Sequence, residues 1–284
     1  LEPDTVLDMS TEKYRDRSAV QVAQEQASID DFRVLVTAEE AYPAFEHEFL
    51  SARREISASF RIFDLTTRLH SDEARKIGDT WFDLFVDTLN RGVAIRLVVT
   101  DFDPVAAPDL HQLAWRTKRQ IAAVREFAAN ESRMEISVAL HDASVGFFPR
   151  LLLYPLIRKK LTELGAMWQA MSESERSCFR TETPRLKKVC YEGEDGKLCF
   201  YPRLVDLHPA THHQKIAVFD RERLYIGGLD LNDRRYDTRR HTAEPEKTWH
   251  DIQALVTGRV GDAAQEHLDT FLHSVSGKAE PAAP

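Results

Sequence analysis

The chain has 284 residues, which is enough for one large α/β domain or two domains of ordinary size with buried cores. Hydrophobic residues make up 43% and charged residues 30%, the composition of a soluble globular protein. The formal net charge of −8 argues against a protein that binds polyanions over its whole surface, although it is compatible with a local basic patch.

The cysteines and the first residues indicate the compartment only weakly. Cys190 and Cys199 flank a turn and could face each other across a hairpin, but the odd cysteine count and the chain length favour reduced thiols. Residues 1–30 are acidic and polar, unlike a signal peptide. Because the chain starts at Leu1 and not at Met, we expect that its native N-terminus is missing. A cytoplasmic or peripheral-membrane location is favoured.

The first half of the chain alternates between predicted strands and helices. Residues 1–31 show no clear period and are predicted to be an N-terminal extension. Thr37 is the predicted N-cap of the first helix. This order of elements predicts an α/β/α sandwich with a central mixed, largely parallel sheet. The expected strands are 32–37, 56–64, 94–104 and 133–140, and the expected helices are 38–56, 79–93 and 108–129.

The second half changes from helix to hairpin-like β structure. A helix is expected at 147–164, and the polar residues 166–184 are predicted to be loop-like. Residues 277–284 are predicted to be a linker or tail, which leaves 32–276 as the expected folded unit. The expected later elements are strands at 187–193, 197–205, 215–220, 224–230 and 249–258, then a helix at 262–275.

Residues 211–238 hold the densest group of chemically useful side chains. His213 and Lys215 are two residues apart on a predicted strand, so both side chains lie on one face. An imidazole, an ammonium and backbone N–H groups at glycine suit an anionic phosphoryl group. Taken singly, a strand His and Lys are more often edge residues, and a Gly-Gly pair is more often a β-bulge. The first strand ends at Asp220. The returning strand is predicted to bring three further residues beside the first strand, Gly227, Gly228 and Asp230.

The joint spacing of these residues resembles the signature of the phospholipase D superfamily, in which H-x-K-x4-D is followed by G-G or G-S. Here it stands as His213-x-Lys215-x4-Asp220-x6-Gly227-Gly228-x-Asp230. The continuations GGLDLNDRRYD and TWHDIQALVTG resemble the first of two motif halves in bacterial phospholipase D and cardiolipin synthase-like enzymes. The similarity covers residues 32–273. Asp230 occupies a place where many members carry Asn, as in the large enzymes with Gly-Gly-Leu-Asp.

The resemblance implies a two-step displacement at phosphorus that needs no metal and no cofactor. One histidine attacks phosphorus and forms a phosphohistidine, while a second protonates the leaving alkoxide and then activates the acceptor. Lys215 would hold the non-bridging oxygens, and Asp251 would either orient the histidine or be an ordinary acid at a strand start. Asp220 is expected to tie down its turn more than to touch substrate. The implied residues are, for catalysis, His213, Lys215, Asp220 and Asp251, and for substrate binding, Lys215, Gly227, Gly228, Asp230 and Asn232.

The sequence carries one copy of this motif, whereas the implied mechanism needs two. We therefore expect a second motif-bearing half as partner, either the C-terminal half of the same gene product or a homodimer partner. The sequence Gly-Gly-Leu-Asp and the linker-like ending KAEPAAP favour a C-terminal half of the same gene product as the partner. This chain would then be an N-terminal half separated by cleavage or chain division. The interface is expected to flank residues 211–232.

The expected substrate is a phospholipid or another phosphodiester, and both hydrolysis and transfer to an alcohol stay open. A nuclease of the same superfamily is one alternative. The acidic balance and the lack of interleaved basic and aromatic runs argue against it, so nucleic acid is not an expected partner. The other alternative is an idle half that binds phosphate as a scaffold, against which the intact His213 and Lys215 count. Whether His213 is nucleophile or general acid also stays open.

Residues 146–161, GFFPRLLLYPLIRKKL, raise the possibility of contact with a membrane surface. Apolar side chains precede Arg158, Lys159 and Lys160, which could meet anionic headgroups. The other interpretation, which we prefer on sequence alone, is a buried helix whose basic end caps its own C-terminal dipole. The stretch is too short and too charged to span a bilayer.

The remaining polar candidates are interpreted as structural. His212 precedes the motif histidine but points to the opposite face, which excludes a metal site made by the pair. His208 and His241 are expected to be loop histidines with local partners. Asp101 and Asp103 suggest Mg²⁺ but are more typical of helix caps and turns. A solvated loop is expected for most of four arginines that could otherwise collect phosphate, Arg234, Arg235, Arg239 and Arg240.

Overall fold

The computed structural model describes residues 28–129, 133–242, 244–247 and 249–276. The predicted tail and residues 1–27 of the predicted extension lie outside these ranges, and the first strand begins three residues earlier than predicted. The strands are β1 (Ile29–Val36), β2 (Glu55–Phe60), β3 (Ala94–Thr100), β4 (Met134–Ala139), β5 (Cys190–Glu192), β6 (Leu198–Phe200), β7 (Lys215–Phe219), β8 (Arg223–Gly227) and β9 (Ile252–Gly258). The α-helices are α1 (Thr37–Ser51), α2 (Trp81–Asn90), α3 (Pro108–Phe127), α4 (Phe147–Leu152), α5 (Tyr154–Ala170), α6 (Glu173–Glu182) and α7 (Val260–Ser276).

Seven of the described strands form one mixed sheet in the order β1-β9-β8-β7-β2-β3-β4. The pairs β2–β3 and β3–β4 are parallel, and the other four pairs are antiparallel. Five of these seven strands nevertheless run in the same direction, because only β7 and β9 are reversed. The predicted α/β fold with a mixed central sheet between helices is confirmed, and its parallel pairing is confined to the β2–β3–β4 end.

The sheet is covered by helices on both faces. On one face α1 and α2 pack against it through a buried aromatic cluster in which the Phe45 and Tyr225 rings stack with centroids 4.3 Å apart, and α3 adds Trp115 and Ile121 to the same core. On the other face Leu268 of α7 packs against apolar residues of β7, β8 and β9. Burying aromatic rings of this size supplies much of the driving force for folding. The aromatic cluster contains Phe45, Phe49, Phe60, Phe63, Trp81, Phe85, Phe219 and Tyr225.

The prediction that residues 166–184 are loop-like is wrong. α5 continues to Ala170, and α6 follows at Glu173 after a capping box in which Ser172 and Glu175 bind each other's backbone N–H groups. Both helices are polar on the outside but bury one side, with Trp168 and Phe179 in a separate apolar cluster. The Ser-x-x-Glu spacing was the sequence signal for this helix start.

Thr37 does not act as the predicted N-cap. It is the first residue of α1, its φ is +62°, and no side-chain cap precedes the helix. A left-handed backbone at a β-branched residue costs about 1–3 kcal/mol and persists only where neighbours impose it. Here the Thr37 N–H donates to the backbone oxygen of Asp251 at 2.9 Å. The start of α1 is therefore fixed to the segment that leads into β9.

The three cysteines are free thiols, as predicted. In the β5–β6 hairpin Cys190 pairs with Phe200, while Cys199 pairs with Tyr191. The two cysteines are offset by one residue, and adjacent positions on a strand point to opposite faces, so they do not face each other as the sequence suggested. Burial raises the pKa of the Cys190 thiol to about 12, which makes it unreactive.

The helix predicted at 147–164 is present but divided at Leu153 into α4 and α5. α5 buries Ile157, Leu161 and Leu164 along one side, whereas α4 buries none of its residues. Within the described ranges, no helix combines the length and the apolar character needed to cross a bilayer.

Candidate active site

The candidate residues meet at one end of the sheet. β2 and β8 end there, and the antiparallel strands β7 and β9 begin there. Lys215 at the start of β7 pairs with Phe60 at the end of β2, and Gly227 at the end of β8 pairs with Gln253. Open α/β sheets commonly bind ligands outside strand ends. The topology therefore brings residues from four strands close to His213.

His213 and Lys215 are in direct contact, on the same face as predicted. The Lys215 Nζ atom lies 3.2 Å from Nδ1 and 3.3 Å from Nε2 of the His213 ring. Lys215 is only 3% exposed, while His213 is exposed to solvent. The buried Lys215 ammonium therefore contacts the inner side of an imidazole whose outer side is accessible to a substrate.

Asp230 completes the buried part of the cluster. Its Oδ1 atom lies 3.9 Å from Lys215 Nζ and accepts the Ile62 N–H at 3.0 Å. Its Oδ2 atom lies 3.7 Å from the Arg61 guanidinium. Burial raises the pKa of Asp230, and the charges of Lys215 and Arg61 oppose that rise. Asp230 is therefore placed to hold the lysine, and a substrate contact for it stays a prediction.

Arg61 was missed by the sequence reasoning, which placed it inside a strand at 56–64. The strand ends at Phe60, and Arg61 turns toward Asp230 with its guanidinium 5.1 Å from the Phe102 ring centroid. A basic residue in an otherwise apolar and small-residue segment was the available signal. Arg61 adds a second cation beside Lys215, and guanidinium groups bind phosphate oxygens well.

The electrostatic environment favours the neutral form of His213. Loss of water around the part of the ring that lies against the protein lowers its pKa, and the charges of Lys215 and Arg61 lower it further. Asp230 and Asp251 act in the opposite direction but do not reverse the shift. Since the usual value is near 6.5, the ring is neutral at pH 7, which is the form that can act as a nucleophile.

Gly227 and Gly228 allow β9 to approach closely. A Cβ on Gly227 would lie 2.3 Å from the backbone oxygen of Ile252, and one on Gly228 would lie 2.0 Å from Asp251 Oδ1. The close approach expected at these glycines is therefore made by a second segment of the chain. Asp251 is held there by the Ile252 N–H, which donates to Oδ1 at 2.9 Å. Burial lowers the pKa values of His213 and Lys215, and the charge of Asp251 partly opposes this lowering. The orienting role of Asp251 stays a prediction.

Asn232 is engaged in shaping the turn after Asp230. Its Oδ1 atom accepts the Arg234 N–H at 2.8 Å, and its Nδ2 donates to Asp64 at 3.4 Å. The Tyr42 hydroxyl donates to the backbone oxygens of Asp230 and Asn232 at 2.8 and 3.0 Å. This geometry supports a positioning role for Asn232, while the predicted substrate contact stays a prediction.

Among the loop arginines, Arg235 is one whose charge acts on the cluster around Lys215. Its guanidinium stacks on Trp249 with 3.4 Å between the guanidinium carbon and the ring centroid, a cation–π contact. Burial lowers the pKa of Lys215, and the positive charge of Arg235 lowers it further. The same charge opposes the rise that burial causes in the pKa of Asp230. Arg239 instead forms an ion pair with Glu40. Phosphate binding by Arg235 stays a prediction.

Asp220 lies at the far end of β7, roughly 20 Å along the chain from His213. It begins the three-residue connection between β7 and β8, in which Asp220 and Arg221 have positive φ values of +53° and +64° and the Glu222 N–H donates to the Phe219 backbone oxygen at 3.0 Å. The Asp220 carboxylate accepts the backbone N–H groups of Arg53, Arg54 and Glu55 at 2.7 to 3.0 Å. Asp220 binds backbone N–H groups as expected, but these belong to residues 53–55 and not to its own turn. It lies at the opposite end of β7 from His213, so this position does not support the catalytic role that the resemblance implies.

We expect Asp220→Asn to reduce stability but to leave turnover per folded molecule nearly unchanged. Burial would raise the pKa of Asp220, but the three N–H donors outweigh it and lower the pKa below 3.8. An amide nitrogen in place of one oxygen would face a donor, with an expected loss of about 1–3 kcal/mol. Because the folded pKa is the lower one, this stabilisation is complete above the unfolded value and is lost as pH falls through the folded value.

Urea unfolding at pH 7 and at decreasing pH checks this prediction. The stability difference between wild type and Asp220→Asn should be largest at neutral pH and should shrink below about pH 4. A variant that is as stable as wild type but has lost turnover would contradict the structural assignment of Asp220.

The other histidines have the arrangement expected of them. The His212 ring lies 4.9 Å from His141 and 4.9 Å from Phe271 of α7, on the face away from Lys215. His241 Nδ1 lies 2.7 Å from Asp237 Oδ2, and its Nε2 lies 3.0 Å from the His250 ring. The divergence of the paired histidines and the local partner of His241 are confirmed.

Asp101 and Asp103 are structural, as predicted. Asp101 is fully buried, with Oδ1 2.5 Å from His111 and Oδ2 2.5 Å from Arg185. Asp103 accepts backbone N–H groups that follow it in the turn, and a further one from His208 at 2.7 Å. Across the part of the chain that the structure describes, no three His, Cys, Asp or Glu side chains form a group that could hold a metal ion.

Searches with protein-family models and against curated proteins find no match to this chain. Solved structures with a similar course of the backbone do exist. NucT from Helicobacter pylori has a TM-score of 0.41 at 10% identity, over 86% of this chain and 97% of that one. A phospholipase D family member, Nuc from Salmonella typhimurium, has a TM-score of 0.42 at 10% identity, over 86% and 95%.

Phosphatidylserine synthase from Haemophilus influenzae Rd KW20 has a TM-score of 0.44 at 10% identity, over 85% of this chain and 38% of that one. This chain thus spans well under half of the synthase. These similarities concern the course of the backbone alone.

Proposed function

We propose that this chain is one motif-bearing half of a phosphodiester hydrolase or transferase that acts through His213. The observation that carries the proposal is the contact between an exposed, neutral imidazole and a buried ammonium, 3.2 Å apart. The imidazole supplies a nucleophile or a proton donor, and the ammonium binds phosphate oxygens. Arg61 and Arg235 add positive charge around the same point.

The proposed reaction has two displacements at phosphorus. In the first, an imidazole nitrogen bonds to phosphorus and the ester oxygen leaves, taking a proton from a second histidine. In the second, that histidine takes a proton from water or an alcohol, whose oxygen displaces the imidazole. Lys215 and Arg61 would balance the negative charge on the non-bridging oxygens in both steps.

The second histidine is proposed to come from a second half. In-line displacement needs groups on opposite sides of phosphorus, and the sequence contains one H-x-K motif. Beside the site, the α7-side face of β1, β8 and β9 carries apolar residues that α7 leaves uncovered. These residues, which we name the sheet-face patch, are Phe32, Val34, Ile226 and Ile252. Such a patch next to a site is typical of an interface.

Two features support a phospholipid over a nucleic acid as the proposed substrate. The net charge of −8 offers no extended basic surface for a polyanion. The charged cluster is compact around the buried Lys215, and the aromatic rings described beside it, Phe102 and Trp249, are covered by Arg61 and Arg235 and are not open for base stacking. A nuclease of the same superfamily stays the second candidate, because the chemistry at phosphorus would be the same.

Turnover of two substrates by one preparation tests the proposal. The protein, in the assembly in which it is isolated, is incubated with phosphatidylcholine vesicles and with single-stranded DNA. We expect headgroup release from the vesicles at a rate at least about 100-fold above that of DNA cleavage, and its loss in His213→Ala. Faster cleavage of DNA would replace the proposal by the nuclease. Binding of both without turnover would replace it by a phosphate-binding scaffold.

A further inference from the structure

A large apolar surface lies away from the His213 site, on α4 and the start of α5. No residue of α4 is buried, and Phe148 and Leu152 are 78% and 82% exposed. Exposed apolar areas of this kind mark contact surfaces, since single scattered apolar residues are the normal case. We name this set the α4 surface, and its members are Phe147, Phe148, Leu151, Leu152, Tyr154 and Leu156.

The preferred interpretation from sequence, a buried helix with a basic C-terminal end, fits only half of this segment. α5 is buried on one side, as expected, but α4 is not. Arg158, Lys159 and Lys160 lie in the second turn of α5, near its N-terminus. Cations there do not interact favourably with the helix dipole, which favours them at the other end. Lys160 pairs with Glu163 of the same helix, with Nζ 3.1 Å from Oε2, whereas Arg158 and Lys159 are exposed to groups outside the helix.

Charge around the α4 surface is opposite in sign to that of the whole chain. Residues 147–160 contain four basic and no acidic side chains, while the chain as a whole has a net charge of −8. Arg158, Lys159 and Lys160 are all exposed. Arg150 pairs with Asp206 and Lys160 pairs with Glu163, so Arg158 and Lys159 supply the excess positive charge. Positive charge beside exposed apolar side chains fits an anionic lipid surface, where basic residues meet headgroups and apolar ones enter the interface.

A cleft beside the α4 surface has the same mixed character. It encloses about 320 Å³ between α5 and the segment 200–205. Arg158 and Tyr154 line it from α5, and Arg203, stacked 5.3 Å from the centroid of the Tyr201 ring, lines it from the other side. Guanidinium groups next to tyrosine rings suit a phosphate headgroup above an apolar phase.

We propose that the α4 surface docks the protein on an anionic phospholipid bilayer. α5 is fixed to the fold by the buried residues Ile157, Leu161 and Leu164, and α4, which precedes it, stays exposed at the surface. The apolar side chains of α4 enter the interfacial region, and the basic residues of α5 contact headgroups. This docking is separate from the proposed chemistry, because none of these residues belongs to the cluster around His213.

Co-sedimentation with vesicles tests the proposal. Wild type should bind mixed phosphatidylcholine and phosphatidylglycerol vesicles, and binding should weaken with pure phosphatidylcholine or at high salt. Phe148→Ser/Leu152→Ser should lower the partition coefficient at least about ten-fold. Lys159→Gln/Lys160→Gln should weaken binding to the mixed vesicles and remove much of its salt dependence.

Three matched controls separate docking from other effects. Phe32→Ser/Val34→Ser removes two apolar side chains that are about half exposed on another surface, and this variant should bind vesicles like wild type. The exposed-lysine control Lys76→Gln/Lys247→Gln should also bind like wild type. His213→Ala should also bind like wild type, which keeps a failure of docking distinct from a failure of the proposed catalysis. Equal binding by wild type and Phe148→Ser/Leu152→Ser would overturn the proposal. A fall in molecular mass in that variant, without vesicle binding by wild type, would show a protein partner on the α4 surface instead.

Discussion

His213→Ala is expected to lower the turnover of a phosphodiester by at least about 10³-fold in the assembled enzyme. Alanine removes the imidazole that contacts Lys215 and leaves a solvent-filled gap in front of a buried ammonium. Water in that gap cannot form the phosphohistidine or supply a proton with comparable efficiency. Because His213 is exposed, the loss should come from chemistry and not from unfolding, and thermal unfolding should be close to wild type.

His212→Ala is the matched control, since it removes an adjacent imidazole that faces Phe271 and His141. We expect it to retain at least about a tenth of wild-type turnover, with any loss arising from packing. The pair is measured with the same soluble diester under saturating conditions. Wild-type rates in both variants would show that the chemistry takes place elsewhere in the molecule.

A monomer of this chain is expected to be inactive, with turnover at least about 10³-fold below that of the assembly. One imidazole cannot stand on both sides of phosphorus, and the sequence supplies one motif. If the second half is another copy, specific activity should fall on dilution together with the mass measured by light scattering. If the second half is a different polypeptide, the isolated chain should be inert at every concentration.

Phe32→Glu/Val34→Glu sharpens this test by placing charge in the sheet-face patch. Both residues are at least half exposed, so the change should weaken association without unfolding the sheet. Phe148→Glu/Leu152→Glu places the same charge on the α4 surface and should leave mass and turnover of a soluble diester unchanged. A strictly monomeric wild-type chain with full activity would refute the need for a second half.

The centre of the candidate site could be predicted because it depends on local geometry. Two residues at i and i+2 on a strand share a face, and the spacing to the glycines set the position of the returning strand. His213, Lys215 and the close approach at Gly227 follow from these rules. The structural role of Asp220 followed in the same way, from its position at a strand end.

The remainder of the site depends on contacts that sequence spacing does not reveal. The Tyr42 hydroxyl donates to the backbone oxygen of Asp230, 188 residues away in sequence, and Arg61 contacts the Asp230 carboxylate from the end of a different strand. No local period indicates which side chains from β2 and α1 will meet β8. The loop-like prediction for 166–184 failed for a related reason, because polar residues on the outer side of α6 concealed the burial of Phe179.

The steric course at phosphorus in the His213-dependent reaction tests the central claim most directly. Each in-line displacement inverts phosphorus, so two successive displacements through a phosphohistidine restore the original configuration. A diester made chiral with oxygen isotopes or sulfur is converted by the assembled enzyme, with His213→Ala as the blank, and the product configuration is determined. The account predicts retention. Inversion would mean a single direct attack by water or alcohol and would contradict a covalent intermediate on histidine.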